Sequence, residues 1–179
     1  MIFAVVEIAP GDPARYMLGI NAQEDTVAAL RAELGLDQPP LARYLSWVGG
    51  MVQGDFGISY TYRTPVADMI AERLTISLPL ALMALALSTA IALPAGIIAA
   101  ARRGRAADAG VMAATQLGIA VPNFWFAMIL VLIFAINLGW FNAGGFPGWD
   151  EPFQALRALV LPAVALALPQ AAILARVLR

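Results

Sequence analysis

Long apolar runs without charge alternate along this chain with segments dense in charge and helix punctuation. The longest run, Leu74 to Ala101, holds no charged residue and is closed by Arg102-Arg103-Gly104-Arg105. A helix of about 28 residues at about 1.5 Å per residue reaches about 42 Å, enough to cross a hydrocarbon core of about 30 Å with some tilt. One charge near its middle would cost about 2.5–3.5 kcal/mol on insertion scales, so the absence of any predicts a membrane span at about 74–101. Ala109 to Trp149 is also uncharged. It is too short for two crossings and a turn, and reads as one span at about 118–141 with a helical lead-in from Asp108. Pro122-Asn123 is expected to interrupt that span, and the freed backbone groups must then face protein or water. Ala158 to Ala175, bracketed by Arg157 and Arg176, is just long enough for a third span at about 158–175, which Pro162 and Pro169 are expected to divide.

The opening Met1 to Val6 is apolar, but Glu7 and Pro10-Gly11-Asp12-Pro13 follow at once, so the stretch reads as the outer end of a span whose earlier turns are missing. Between Gly11 and Arg73 the pattern changes. Asn21 with Glu24 resembles a capping box, and Val27, Leu30 and Leu34 share a helical face until Gly35 stops it. Pro40 suits the first turn of a second helix with Leu41, Tyr44, Leu45 and Val48 on one face, Trp47 beside them, and an end near Gly49-Gly50. These faces are expected to pack on one another or on the bilayer surface. Thr64-Pro65 opens a third helix that leads into the main span. The sequence thus divides into 1–73, the end of a first membrane helix plus a small helical extracytoplasmic segment, and 74–179, part of a polytopic transmembrane helix bundle. The fold class is all-α.

Composition supports the membrane over a buried soluble helix: 61% of residues are hydrophobic and 13% charged, where about 25% charged is usual. Charge also sets direction. Five arginines and eight acids leave Gly11 to Arg73 three charges negative, whereas Arg102, Arg103 and Arg105 crowd one short loop. The arginine loop is expected inside and the acidic segment outside. The third span then runs inward, and Arg176 and Arg179 at its end agree. Trp140-Phe141 marks the outer end of the second span as an aromatic belt.

With no cysteine and no histidine, disulfides, Cys/His metal sites and His-based acid–base chemistry are excluded. All 11 basic residues are arginine, which removes P-loop and Schiff-base lysines. A net charge of −1 gives no footprint for nucleic acid. No carboxylate or arginine lies at mid-membrane depth, so a proton- or sodium-coupled carrier lacks its usual groups. Among the polar residues in the apolar runs, Gln116, Asn123 and Asn137 are candidates for lining a translocation path. The competing reading for all such residues is hydrogen bonding between or within helices, worth about 0.6 kcal/mol each.

Taken together, Ala9-Pro10-Gly11-Asp12-Pro13, Leu34-Gly35-Leu36-Asp37-Gln38-Pro39 with Arg43-Tyr44 and Trp47, Gly54-Asp55-Phe56-Gly57-Ile58-Ser59, Pro65-Val66, Arg73-Leu74, Ala99-Ala100 with Arg102-Arg103-Gly104 and Asp108, Val121-Pro122-Asn123-Phe124-Trp125, Leu138-Gly139-Trp140-Phe141 and Leu161-Pro162-Ala163 form an ordered set. In that order they resemble the inner-membrane permease subunit of bacterial dipeptide/oligopeptide/nickel ABC importers, truncated at both ends. The resemblance implies a multi-pass subunit of the bacterial inner membrane. It implies pairing with a second permease subunit, two ATP-binding subunits and an extracytoplasmic solute-binding protein, with no cofactor in this chain and ATP held by the partners. Within the external segment, the stretch around Gly54 to Thr64 is the candidate contact for that binding protein, through Asp55, Phe56 and Tyr60. The alternatives are an intramembrane protease, which the lack of histidine disfavours, and a non-transporting scaffold, in which the breaks at Pro122 and Pro162 would be liabilities.

Overall fold

The computed structural model describes residues 11–19, 21–59 and 61–179. The expected first-span remnant and Tyr60 therefore lie outside the described residues. Those described form helices, with one isolated antiparallel bridge between Ile58 and Pro65. The chain divides into two compact units at Leu74/Thr75.

In the first unit, α1 (Pro13–Leu18) starts where Asp12 accepts a 3.1 Å hydrogen bond from the Ala14 N–H and Pro13 presets the first turn. The other oxygen of Asp12 pairs with Arg31 of α2 (Glu24–Glu33), and Arg15 pairs with Glu24. These pairs accompany the burial of Ala14 and Val27 as α1 and α2 pack together. The capping box expected at Asn21 does not form. Gln23 occupies the N-cap without a side-chain bond, and Glu24 points to Arg15 instead. Gly35 ends α2 as expected: at φ 65° it lets the Leu36 N–H reach the Arg31 carbonyl and its own N–H reach that of Ala32, closing the helix with two otherwise orphaned acceptors. Helix α3 (Pro40–Val52) buries no residue. Leu41, Tyr44, Leu45, Met51 and Val52 leave its apolar face exposed.

Helix α4 (Val66–Ala101) begins just past Pro65 and continues without interruption into the long apolar run. Its buried stripe is Ser88, Ala92, Gly96 and Ala99, spaced at one helical face. Most of the remaining surface is exposed Leu and Ile. Beyond the arginine turn come α5 (Ala106–Ala120), α6 (Asn123–Leu130) and a π-helical segment (Val131–Asn137), then α7 (Pro152–Leu178). Helix α7 is the core of the second unit. Alanines 155, 163, 165, 167, 171, 172 and 175 are all buried, so neighbouring backbones approach it closely. Its first half packs through Leu161 and Ala165 on Leu130 and Ala135. Its second half packs through Ala171 and Ala175 on Ala92 of α4. The division of the third apolar run by proline is not seen. Pro162 and Pro169 lie inside one continuous helix, as do Pro79 and Pro94 in α4.

Candidate functional site

The second unit is shaped by one break. Val121 precedes a proline, which disfavours helical backbone, and it is extended at φ −81°, ψ 125°. Helix α5 therefore stops at Ala120 and the chain resumes at Asn123 after a bend of 96°. The interruption expected at Pro122-Asn123 is thus present as a near right angle. Because this stretch is uncharged and apolar, backbone groups released at the bend need protein or water partners.

Gln116, Asn123 and Asn137 are not brought to one point. Gln116 lies in α5, where its side-chain oxygen accepts a hydrogen bond from Arg176 Nη2 of α7. Asn123 opens α6 directly after the bend, and Asn137 closes the π segment; both are exposed. Fourteen residues at about 1.5 Å each separate the two asparagines by about 20 Å. Ser88 and Thr115, both buried, are satisfied within their own helices: each hydroxyl donates to the carbonyl three residues earlier, Leu85 and Met112, at 2.9 Å.

The arginine-loop end of the unit carries a buried charge. Asp108 is 2% exposed. Its Oδ2 accepts hydrogen bonds from the Gly104 N–H at 2.8 Å and from Arg179 Nη2 at 2.7 Å. Its Oδ1 lies 2.6 Å from Arg179 Nε, close enough for charge pairing although not aligned as a hydrogen bond. The Arg179 hydrogen bond, followed by that of Gly104, holds the Asp108 carboxyl below the usual carboxylate range against the opposing effect of burial. Asp108 raises Arg179 in return. Asp108 also stands in the first turn of α5, where a negative charge complements the helix dipole. In the sequence it is the sole acid between Glu72 and Asp150. That isolation is a signal for a paired carboxylate, but its partner is 71 residues away and has no local mark.

The opposite end is aromatic. Arg157 donates from Nε to the Trp140 carbonyl at 2.9 Å and lies 5.9 Å from the Phe141 ring centroid. Trp140 packs on Phe134, and Trp149 meets Phe146 edge-on at 5.3 Å. Trp149 has a second role. Pro79 has no N–H, so the Thr75 carbonyl one turn earlier loses its helical donor. Trp149 Nε1 supplies one at 3.0 Å.

In the first unit, the loop after α3 is built by its own polar groups. Asp55 Oδ1 accepts from the Gly57 N–H at 2.8 Å, Ser59 N–H donates to the Thr64 carbonyl at 2.9 Å, and Val66 N–H donates to the Gly57 carbonyl at 2.9 Å. Arg63, at φ 55°, donates to the Met17 carbonyl at 2.9 Å. Asp55 is exposed and Phe56 is half-buried, so one carboxylate oxygen shapes the loop while the residue remains open to solvent.

Two of the described helices, α4 and α7, are long and apolar enough to cross a bilayer, and the bent α5–α6–π element makes a third if it is counted as one span. With the arginine turn at one end and the aromatic cluster at the other, these features define a polytopic integral membrane protein. The profile described as "Binding-protein-dependent transport system inner membrane component" matches residues 92–179, and the corresponding N-terminal profile matches 1–81. The chain belongs to this family. Relatives include a Brucella abortus protein provisionally described as a peptide transport system permease protein, 41% identical over all of this chain and 57% of the relative. The oligopeptide transport system permease protein AppB of Bacillus subtilis is 36% identical over 99% of this chain and 57% of the relative. The glutathione transport system permease protein GsiC of Escherichia coli K12 is 36% identical over the whole chain and 56% of the relative. The chain thus spans a little over half the length of the curated relatives it matches.

Proposed function

We propose that this chain is part of the permease subunit of an ATP-driven importer for peptides or similarly sized solutes. The observation that carries this reading is the 96° bend in an apolar element uncharged from Ala109 onward, in a chain matched on both sides of the bend by one transport family. A rod-like anchor has no use for a break whose backbone groups must be satisfied away from lipid, whereas a wall of a water-filled path supplies those partners. The names of the relatives, which concern peptides, oligopeptides and glutathione, support a peptide-like solute.

In this reading the subunit sits in the bacterial inner membrane with the arginine turn on the cytoplasmic side and Asn142 outside. A second permease completes the path. Two partner subunits bind and hydrolyse ATP, and this chain holds no cofactor. ATP binds the two conformations of the assembly with different affinity, and that difference supplies the work of exposing the path alternately to the two sides. Asn123, at the bend, and Asn137, farther along, offer amides to the peptide groups of the solute, while Gln116 contributes through its contact with Arg176. An extracytoplasmic binding protein docks on the loop of Asp55, Phe56 and Tyr60; the hydrogen bonds of Asp55, Gly57 and Ser59 brace its described part as a preformed surface.

Reconstituting the full-length gene product with its operon neighbours and measuring ATP-dependent uptake tests the assignment. Uptake that persists without this subunit ends it. For the docking loop, Asp55→Asn keeps an acceptor for the Gly57 N–H and removes the charge. A raised concentration of binding protein for half-maximal uptake is expected, and an unchanged value removes Asp55 from the contact.

A further inference from the structure

We infer that Asp108 is a positioning residue that locks the arginine-loop end of α5 to the last turn of α7, so that the two helices move as one body about the bend at Val121-Pro122. This rests on the importer reading above and adds to it which parts of the chain move together.

Three contacts at successive levels join the two helices. Asp108 holds Arg179 while also accepting from Gly104, so the arginine turn and the end of α7 share one buried carboxylate. Further along, Gln116 accepts from Arg176. Nearer the bend Gly118 faces Ala172 so closely that a Cβ on the glycine would lie 3.1 Å from the alanine methyl. Polar, ionic and steric contacts thus fix both the sliding and the separation of α5 against α7. Removing the partner of a buried charge leaves the other uncompensated, so the pair resists separation as the assembly cycles. Among the described residues, helix α6 itself meets α7 in the buried apolar cluster of Leu130, Leu161 and Ala165, and the next polar contact with α7 comes only past the π segment, where Arg157 donates to the Trp140 carbonyl. Such contacts have no direction and tolerate rearrangement more readily than a latch of one ion pair, one hydrogen bond and one close steric contact. The joint between the locked pair and α6 is therefore the bend itself, next to Asn123.

This chain has no cysteine, so an engineered pair within it can be tested in the full-length protein with its partner subunits in proteoliposomes, once any cysteines elsewhere in the assembly are replaced. A disulfide spaces its Cβ atoms about 3.5–4.5 Å apart, so Gly118→Cys with Ala172→Cys needs a separation only slightly greater than the present one. The expected results are that the bridge forms, and that the oxidised complex transports within about twofold of its reduced form, since the bridged helices do not move apart. Failure to form the bridge, or uptake abolished on oxidation and restored on reduction, overturns the inference. Asp108→Asn keeps an acceptor for Gly104 and removes the charge. It is expected to lower solute transported per ATP hydrolysed by about tenfold, within the roughly 5–150-fold range of coupling between sites. Adding the same engineered disulfide between positions 118 and 172 to the Asp108→Asn chain is expected to restore the ratio. A wild-type ratio in Asp108→Asn, or no recovery with the bridge, refutes the lock. A wild-type complex with no ATP-dependent uptake refutes instead the importer reading, so the two failures are told apart.

Discussion

Trp149→Phe isolates a single hydrogen bond whose purpose can be read from the chain. The substitution keeps an aromatic ring near Phe146 and removes the indole N–H that reaches the Thr75 carbonyl, together with part of the ring's bulk. A fully buried acceptor left unsatisfied costs about 1–3 kcal/mol, but Thr75 and this hydrogen bond are exposed. Trp149 is 36% exposed, so water partly replaces the lost donor and the expected cost falls at the low end, about 1 kcal/mol, or about fivefold in the folded-to-unfolded ratio. Reversible unfolding of the full-length protein in mixed micelles measures it. The explanation is specific because Pro79 offers no N–H to that carbonyl. Pro79→Ala restores an N–H one turn away, after which Trp149→Phe should lose its hydrogen-bond cost and keep only that of the smaller ring. The double-mutant cycle should then show a coupling of about 1 kcal/mol, well above the scatter of about 0.3–0.5 kcal/mol for independent sites. If Trp149→Phe costs the same with and without Pro79, the tryptophan is not compensating the proline and the reasoning fails.

Other outcomes follow from the same structure. Gly96→Ala should cost about 1–3 kcal/mol through overpacking, and more than Gly118→Ala, because its Cβ would lie 2.6 Å from Leu178 Cβ against 3.1 Å from Ala172 Cβ at Gly118; equal melting shifts contradict this. Asp108 is held below its ordinary value of 3.8, so its ionised form stabilises the fold above that pH, and the contribution is lost as pH falls through the depressed value. Thermal melts should therefore show Asp108→Asn less stable than its parent at neutral pH, with the gap closing only below about pH 3.8; a gap that is constant with pH refutes the pairing. Arg105→Cys should react with impermeant thiol reagents only after cells are opened, and Asn142→Cys in intact cells; the reverse pattern would overturn the orientation.

Much of the fold was legible because the bilayer imposes length and apolarity on any segment that crosses it. Leu74 to Ala101 and Ala158 to Ala175 are helical for that reason, and Gly35 and Pro122 act through local backbone restrictions that a sequence displays openly. Pro162 and Pro169 were harder to read: a proline within an apolar helix can be retained when neighbouring groups compensate, as Trp149 shows for Pro79, and those groups lie far along the chain. The capping box at Asn21 failed through competition, since Arg15 captures Glu24 from the preceding helix. Gln116, Asn123 and Asn137 share amide chemistry but not a location, and lie on successive parts of one bent element. The Asp108–Arg179 pair escaped because an ion pair across 71 residues has no periodicity.

The π-helical turns between Val131 and Asn137 have a geometric consequence for that element. On a uniform α-helical wheel, 14 residues bring Asn137 to within about 40° of Asn123, as if both amides formed one polar row. Each π turn holds more residues than an α turn, so the second amide swings progressively off that row. The two amides therefore face different sides of the cylinder rather than one row, and the aromatic end of the element is turned with the second of them.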